Sequence, residues 1–206
     1  MVKVLLRPFS YLTISHSDSV HFWVNWGFPI VIAAITGSAW LLPCVMDYFG
    51  YIKPAPTDIW SGSGLVSKIQ SFVQNLPGFY TAALAAVATF GGKGMLRPMA
   101  GNPPKMRFLV EGAMTDKLDL NRRLFLTVMF SYLTVLSFLL TISAAVALTL
   151  APAIKISLIP ALVPWFSAVA ASIYILFFVQ LLTVTLWGLY YLGEKMHLND
   201  GSDHED

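Results

Sequence analysis

Four stretches of this chain contain no Asp, Glu, Lys or Arg, and no other feature limits its fold so strongly. They lie between His21 and Asp47 (25 residues), Lys68 and Lys93 (24), Arg123 and Lys155 (31), and Lys155 and Glu194 (38). A helix rises about 1.5 Å per residue, so about 20 apolar residues cross a hydrocarbon core of about 30 Å. Each run is long enough. A core helix of a soluble domain would carry polar residues along its outer face, and these runs carry few. Composition agrees: charged residues make up 12% of the 206-residue chain, where soluble domains run near 25%. The expected fold class is an all-α membrane protein with four transmembrane helices and a cytoplasmic loop between helices 2 and 3. About 20 residues precede the first run, long for the basic region of a cleaved signal, so the first run reads as a retained span.

The spans are placed at about 26–46, 66–90, 124–150 and 165–192. The second is the least regular. Ser63-Gly64 marks a helix start. Leu65, Val66, Ile69, Phe72 and Val73 then recur at helical spacing among Lys68, Gln70, Ser71 and Gln74, an amphipathic pattern suited to an interface. The breaker Asn75-Leu76-Pro77-Gly78 follows. Two arrangements fit: one kinked helix over 66–90, or an interfacial helix and a shallow half-span. The kinked crossing is preferred because it keeps backbone groups paired in lipid. Pro77 and Gly78 are the expected hinge. Ala151-Pro152 and the segment 160–164 are read as a turn between spans three and four, and Thr115-Asp116 as the cap of the helix leading into span three.

Lys and Arg orient the spans. With four crossings, ten of the thirteen fall on the side of the N-terminal arm, the loop 91–123 and the acidic tail 194–206. That side is the cytoplasm by the positive-inside rule. If the second segment did not cross, the count would become ambiguous. The expected location is a bacterial inner membrane, with both termini cytoplasmic. A net charge of +2 is too small to suggest nucleic-acid binding.

No ionisable residue lies in the middle of a span, which argues against proton-coupled transport and intramembrane proteolysis. HExxH, GxSxG and GxxxxGK[ST] are absent. The histidines, His16, His21, His197 and His204, are spread over the two termini, and the single Cys44 reads as a small apolar residue. No catalytic, metal-binding or cofactor-binding residue is assigned, and the protein is expected not to be an enzyme.

Polar and small residues within the spans point to helix contacts. Thr127, Ser131, Thr134 and Thr141 share one helix face, and Gln180 is the most polar side chain at mid-depth; all five are candidates for helix packing or an oligomer seam. Ala33-x-x-x-Gly37, Ala34-x-x-x-Ser38 and the alanines at 82, 83, 85 and 86 favour close helix approach. Trp23, Trp26, Trp40, Trp165, Trp187, Tyr190 and Tyr191 read as an interfacial belt. In the middle loop, Arg97, Lys105, Met106, Arg107, Phe108 and Leu109 mix charge with apolar groups that seek a packed surface, and they are the candidate partner-binding residues.

The plan of four short spans with both ends inside, the stretch 76–90 (Leu-Pro-Gly-Phe-Tyr-Thr-Ala-Ala-Leu-Ala-Ala-Val-Ala-Thr-Phe) and Arg97-Pro98-Met99 resemble KwaA, the membrane component of the Kiwa anti-phage defence system. The resemblance covers the whole chain by plan and transfers no site residue. It implies an inner-membrane sensor of phage attack that forms a homo-oligomer and holds a cytosolic DNA-binding effector. The expected function is a non-enzymatic membrane sensor or scaffold, a homo-oligomer of four copies, with membrane lipids and a cytosolic effector protein as partners. The alternative is a pore or channel of holin type whose lumen uses the Ser/Thr face of span three.

Overall fold

The computed structural model describes residues 7–14, 22–50, 59–89, 105–106, 109–110, 113–114, 118–157, 162–190 and 192. A short 3-10 helix (Arg7–Thr13) and a π-helical turn (Trp23–Gly27) lead into α1 (Phe28–Tyr48). Next come α2 (Leu65–Val73) and α3 (Leu76–Thr89). Two long helices close the chain, α4 (Arg122–Ser157) and α5 (Val163–Tyr190). Three helical stretches are long and apolar enough to cross a bilayer: Trp23–Pro43, Arg122–Ile156 and Val163–Tyr190. The protein is therefore a helical membrane protein.

The surface of these helices supports the same conclusion. Ile35 and Leu42 of α1, Phe138 and Ile142 of α4, and Val169 and Ile173 of α5 are all exposed. Exposed apolar residues on this scale are foreign to soluble monomers and suit contact with acyl chains.

At the end of span three the chain departs from the sequence reading. The helix of span three does not end at Ala151-Pro152: α4 continues to Ser157 with Pro152 inside it. Proline removes one ladder bond, but the helix-forming residues on either side carry the turn through. The expected cap at Thr115-Asp116 lies outside the described residues; Leu118–Asp119 is a strand and α4 begins at Arg122. Asn121 takes the preceding place, its carbonyl accepting the Phe125 N–H at 3.0 Å. β1 (Lys105–Met106) pairs antiparallel with β4 (Leu118–Asp119), and β2 (Leu109–Val110) with β3 (Ala113–Met114).

The segment expected to form one kinked helix is two helices separated by Gln74 and Asn75. Two ladder bonds are lost there. The Asn75 backbone N–H reaches Phe72 O at 3.5 Å, while its side-chain amide donates to Ser71 O at 3.3 Å, the carbonyl its own N–H would take in an α-helix. Pro77 has no N–H to offer Val73. The backbone stays near helical, with Gln74 at φ −58°, ψ −23°. Buried positions also keep helical spacing through the break: Val66, Ile69, Val73, Pro77, Tyr80 and Val87.

The chain divides into two compact units. One comprises Met1–Asn25, Gly78–Val135 and Leu182–Asp206; the other comprises Trp26–Pro77 and Leu136–Leu181. The first has a core of large side chains, Tyr11, Leu120, Leu126, Met129, Tyr132 and Leu133. The second relies more on small ones, with Ala33, Ala144, Ala151, Ala168 and Ala171 buried. Small residues let helix backbones approach closely where lipid gives no hydrophobic drive between helices.

Candidate functional site

In the unit formed by Trp26–Pro77 and Leu136–Leu181, a cavity of about 750 Å³ opens between α1, the turn before α2, and α5. That lies within the range of small-molecule pockets, about 300–1,000 Å³. From α1 come Thr36, Gly37, Ala39 and Trp40; from the turn, Ile59, Ser61 and Ser63; from α5, Ala168, Ala171, Ser172 and Ile175. The turn is fixed on α5 by the Trp60 indole N–H, which donates to Ser167 Oγ at 2.8 Å. Behind it, Trp60, Ala151, Ile154 and Phe166 surround a smaller apolar hollow of about 200 Å³.

The polar groups of the cavity are hydroxyls. Thr36 Oγ1 donates to its own helix at Ile32 O (2.8 Å) and also lies 3.1 Å from Ala33 O. Ser172 Oγ donates to Ala168 O at 2.8 Å. Both hydroxyl protons are thus engaged within their own helices. Ser61 and Ser63 share a hydrogen bond of 3.4 Å at the end of the cavity formed by the turn. Gly37 permits the close approach of α1 to α5, since a Cβ there would collide with the Ser172 hydroxyl.

The other unit holds a buried aromatic cluster. The 3-10 helix carries Tyr11 and Phe9 onto Tyr132 of α4. The Tyr11 ring stacks at 5.1 Å and 22°, and the Phe9 ring meets Tyr132 edge-on at 6.0 Å. Asn25 is buried in the same unit, 2% exposed. Burial pushes the Tyr11 phenol above its ordinary value, while the neighbouring Asn25 side chain acts in the opposite direction. Thr183 Oγ1 donates to Val24 O at 2.9 Å, and the hydroxyls of Tyr80 and Thr185 share a 2.6 Å bond that ties α3 to α5. Where the middle loop returns, the Arg123 guanidinium donates to Ala88 O, in the last turn of α3, at 2.6 Å.

The residues singled out in the sequence fall in several places. Thr127, Thr134 and Thr141 donate to Arg123 O, Phe130 O and Ser137 O, each four residues back on α4, at 2.7–2.9 Å. Ser131 is half-buried on the same helix. Gln180 is fully buried. Ala33 is buried, whereas Ala34 and Ser38 are exposed. Pro77 is buried in the first turn of α3 and Gly78 is exposed, with nothing near the place a Cβ would take. Lys105, Met106 and Leu109 lie in the short strands. Arg97, Arg107 and Phe108, the four histidines and the tail lie outside the described residues.

Sequence reasoning missed Tyr11, Tyr132 and Asn25, and it gave Trp40 no role beyond the interfacial belt. The aromatic spacing of Phe9 and Tyr11 in an otherwise short arm was the available signal.

Helices, burial and exposed apolar surface define the class, a multi-pass helical membrane protein. Within that class, no family model, curated protein or solved structure matches the chain.

Proposed function

We propose that the protein crosses a bacterial inner membrane four times, with both termini in the cytoplasm, and acts as a non-enzymatic sensor or scaffold that holds a cytosolic effector on its middle loop. The anti-phage setting implied by the resemblance to KwaA belongs to this proposal, and so does a homo-oligomer.

The fourth crossing is supported by α5. Trp60 meets Ser167, Phe72 meets Phe178 with ring centroids 6.3 Å apart, and Tyr80 meets Thr185. Within one compact unit residues 60–72 thus lie along α5 from 167 to 178, and within the other Tyr80 lies against α5 at 185. On the other side, Tyr80 lies 6.4 Å from Phe130 and Ala88 meets Arg123, so α3 runs antiparallel to α4.

The observation that carries the scaffold reading is the form of the middle loop. Arg123 on Ala88 joins the helix ends that flank it, and among its described residues Lys105–Met106 pairs with Leu118–Asp119 and Leu109–Val110 with Ala113–Met114. Paired backbone at these positions supports a docking surface there. The Ser/Thr face of α4 supports the pore alternative less well, because three of its hydroxyls already donate to their own helix.

The test is a mild-detergent pull-down of the tagged protein from its host, read by mass spectrometry. A stoichiometric cytosolic partner is expected. It should be lost when residues 95–110 are deleted and also in Lys105→Glu/Arg107→Glu, with the oligomer retained. An oligomer without any partner, together with conductance in planar bilayers, would move the assignment to a pore.

A further inference from the structure

We infer that the cavity between α1, the 59–65 turn and α5 binds an uncharged amphiphile drawn from the bilayer, one with a hydroxyl-bearing head and an acyl body, of the mono- or diacylglycerol class.

The size is the first argument. A space of about 750 Å³ is of the size of small-molecule pockets and is open on one side, so a molecule of the bilayer can enter it. The lining chooses between water and lipid. Ala39, Ala168, Ala171 and Ile175 offer no hydrogen bonds, and ordered water needs two to four polar partners. An acyl chain has no such need. The ends differ as an amphiphile requires. Ser61 and Ser63 stand at the end anchored by Trp60 to Ser167, near the start of α5, and the apolar wall runs from there toward Ile175, deeper along the helix. Thr36 and Ser172, farther along that wall, have their hydroxyl protons engaged on helix carbonyls, so an acyl body passing them leaves no donor unpaired.

Charge selects the head. No Asp, Glu, Lys, Arg or His is among the described lining residues. A phosphate or carboxylate head would therefore lose its hydration without a counter-charge, which is costly. A glycerol hydroxyl loses little and finds serine partners. The inference does not rest on the effector-holding reading, and the purified chain alone tests it.

The experiment reconstitutes the full chain in vesicles of phosphatidylethanolamine and phosphatidylglycerol that contain a diacylglycerol with a diazirine in one acyl chain. After photolysis, labelled peptides are mapped by mass spectrometry. Labelling is expected to concentrate in 36–40 and 168–175. Unlabelled dioleoylglycerol should reduce it roughly tenfold, while the same amount of additional phosphatidylglycerol should not. Ala39→Phe, at an exposed cavity position that tolerates bulk, should reduce labelling of those peptides by a similar factor and spare Phe138 and Ile142 on the outer face of α4. Ser61→Ala/Ser63→Ala should weaken competition by dioleoylglycerol and leave phosphatidylglycerol unaffected.

Equal competition by phosphatidylglycerol would overturn the choice of an uncharged head. Labelling spread evenly over Ile35, Leu42 and Phe138, or unchanged in Ala39→Phe, would show annular lipid only and overturn the site. Cross-linked dimers joined through 36–40 would show a second copy in the cavity and overturn it as well.

Discussion

At the scale of single residues, two contacts carry testable weight. Gly37 faces Ser172 so closely that a Cβ would strike its Oγ, while the Ser172 Cβ stands 3.5 Å away, an ordinary contact. The hydroxyl can retreat only by giving up its bond to Ala168 O. Gly37→Ala is therefore expected to lower stability by about 1–3 kcal/mol, the range for overpacking. Ser172→Ala should restore most of that loss, because the oxygen is the obstacle. Thermal unfolding of the two single variants and the double variant in detergent gives the coupling energy, and additivity within about 0.5 kcal/mol would refute the contact. Tyr132 offers a second case. It supports the Tyr11 and Phe9 rings, so Tyr132→Ala should cost about 3–5 kcal/mol and Tyr132→Phe much less. The Tyr11 phenol, raised by burial, gives a pH signature. The folded state holds this proton more tightly than the unfolded chain, whose phenol titrates at its ordinary value of 10.0. Its stabilisation is thus complete below that pH and is lost as pH rises beyond it. Tyr11→Phe should be less stable near neutrality yet fall less steeply above pH 10. A parallel decline of both proteins would count against a buried phenol.

At the scale of elements, the break between α2 and α3 has an identifiable local cause. Asn75 takes Ser71 O with its side chain, and Pro77 cannot bond Val73 O. Asn75→Ala/Pro77→Ala returns both ladder bonds, so amide exchange over 73–78 should slow in a continuous helix. Unchanged exchange would place the cause elsewhere. Gly78 sits inside α3 with open space around it, so Gly78→Ala should add about 0.5–1 kcal/mol of helix stability. If the segment is the moving part of a sensor, both changes should blunt signalling more than insertion. Much of this architecture was legible in the sequence, because a bilayer imposes length and apolarity together. The expected spans one, three and four overlap the three apolar helices closely. The end of α4 was misplaced because Pro152 was given the weight of a turn, although a proline costs one bond and a long helix can absorb it. The cavity was illegible for another reason. Ala39, Ala168 and Ala171 read as packing residues, and only the fold shows that a space is left between them. Tyr11 escaped because an arm of this length carries no periodic signal to show which of its aromatics turns inward.

At the scale of the whole molecule, the question is how charge and packing together fix the topology. Three crossings with the N-terminus outside would leave the middle loop and tail on the same side as the four-crossing arrangement, and would put the same number of Lys and Arg within, since Lys53 and Lys68 then replace Lys3 and Arg7. The positive-inside rule thus assigns the loop and tail, and the contacts of 60–80 along α5 bear on the remaining crossing. The two arrangements differ in where they put the N-terminus and the turn before α2. Cys44 is the chain's single cysteine, so a Cys44→Ala background allows single reporters. In intact cells with a permeable outer membrane, an impermeant maleimide should label Ser63→Cys, whose position is exposed, at once. Lys3→Cys and Ser202→Cys should react only after the inner membrane is opened. Labelling of Lys3→Cys with protection of Ser63→Cys would leave three crossings and withdraw the second from the fold. Protection of all three would instead place the turn within the bilayer, where a half-span leaves it. The middle loop would then keep its side of the membrane under the first outcome, so a partner captured on that loop could not rescue the four-crossing topology, and each proposal stands or falls on its own experiment.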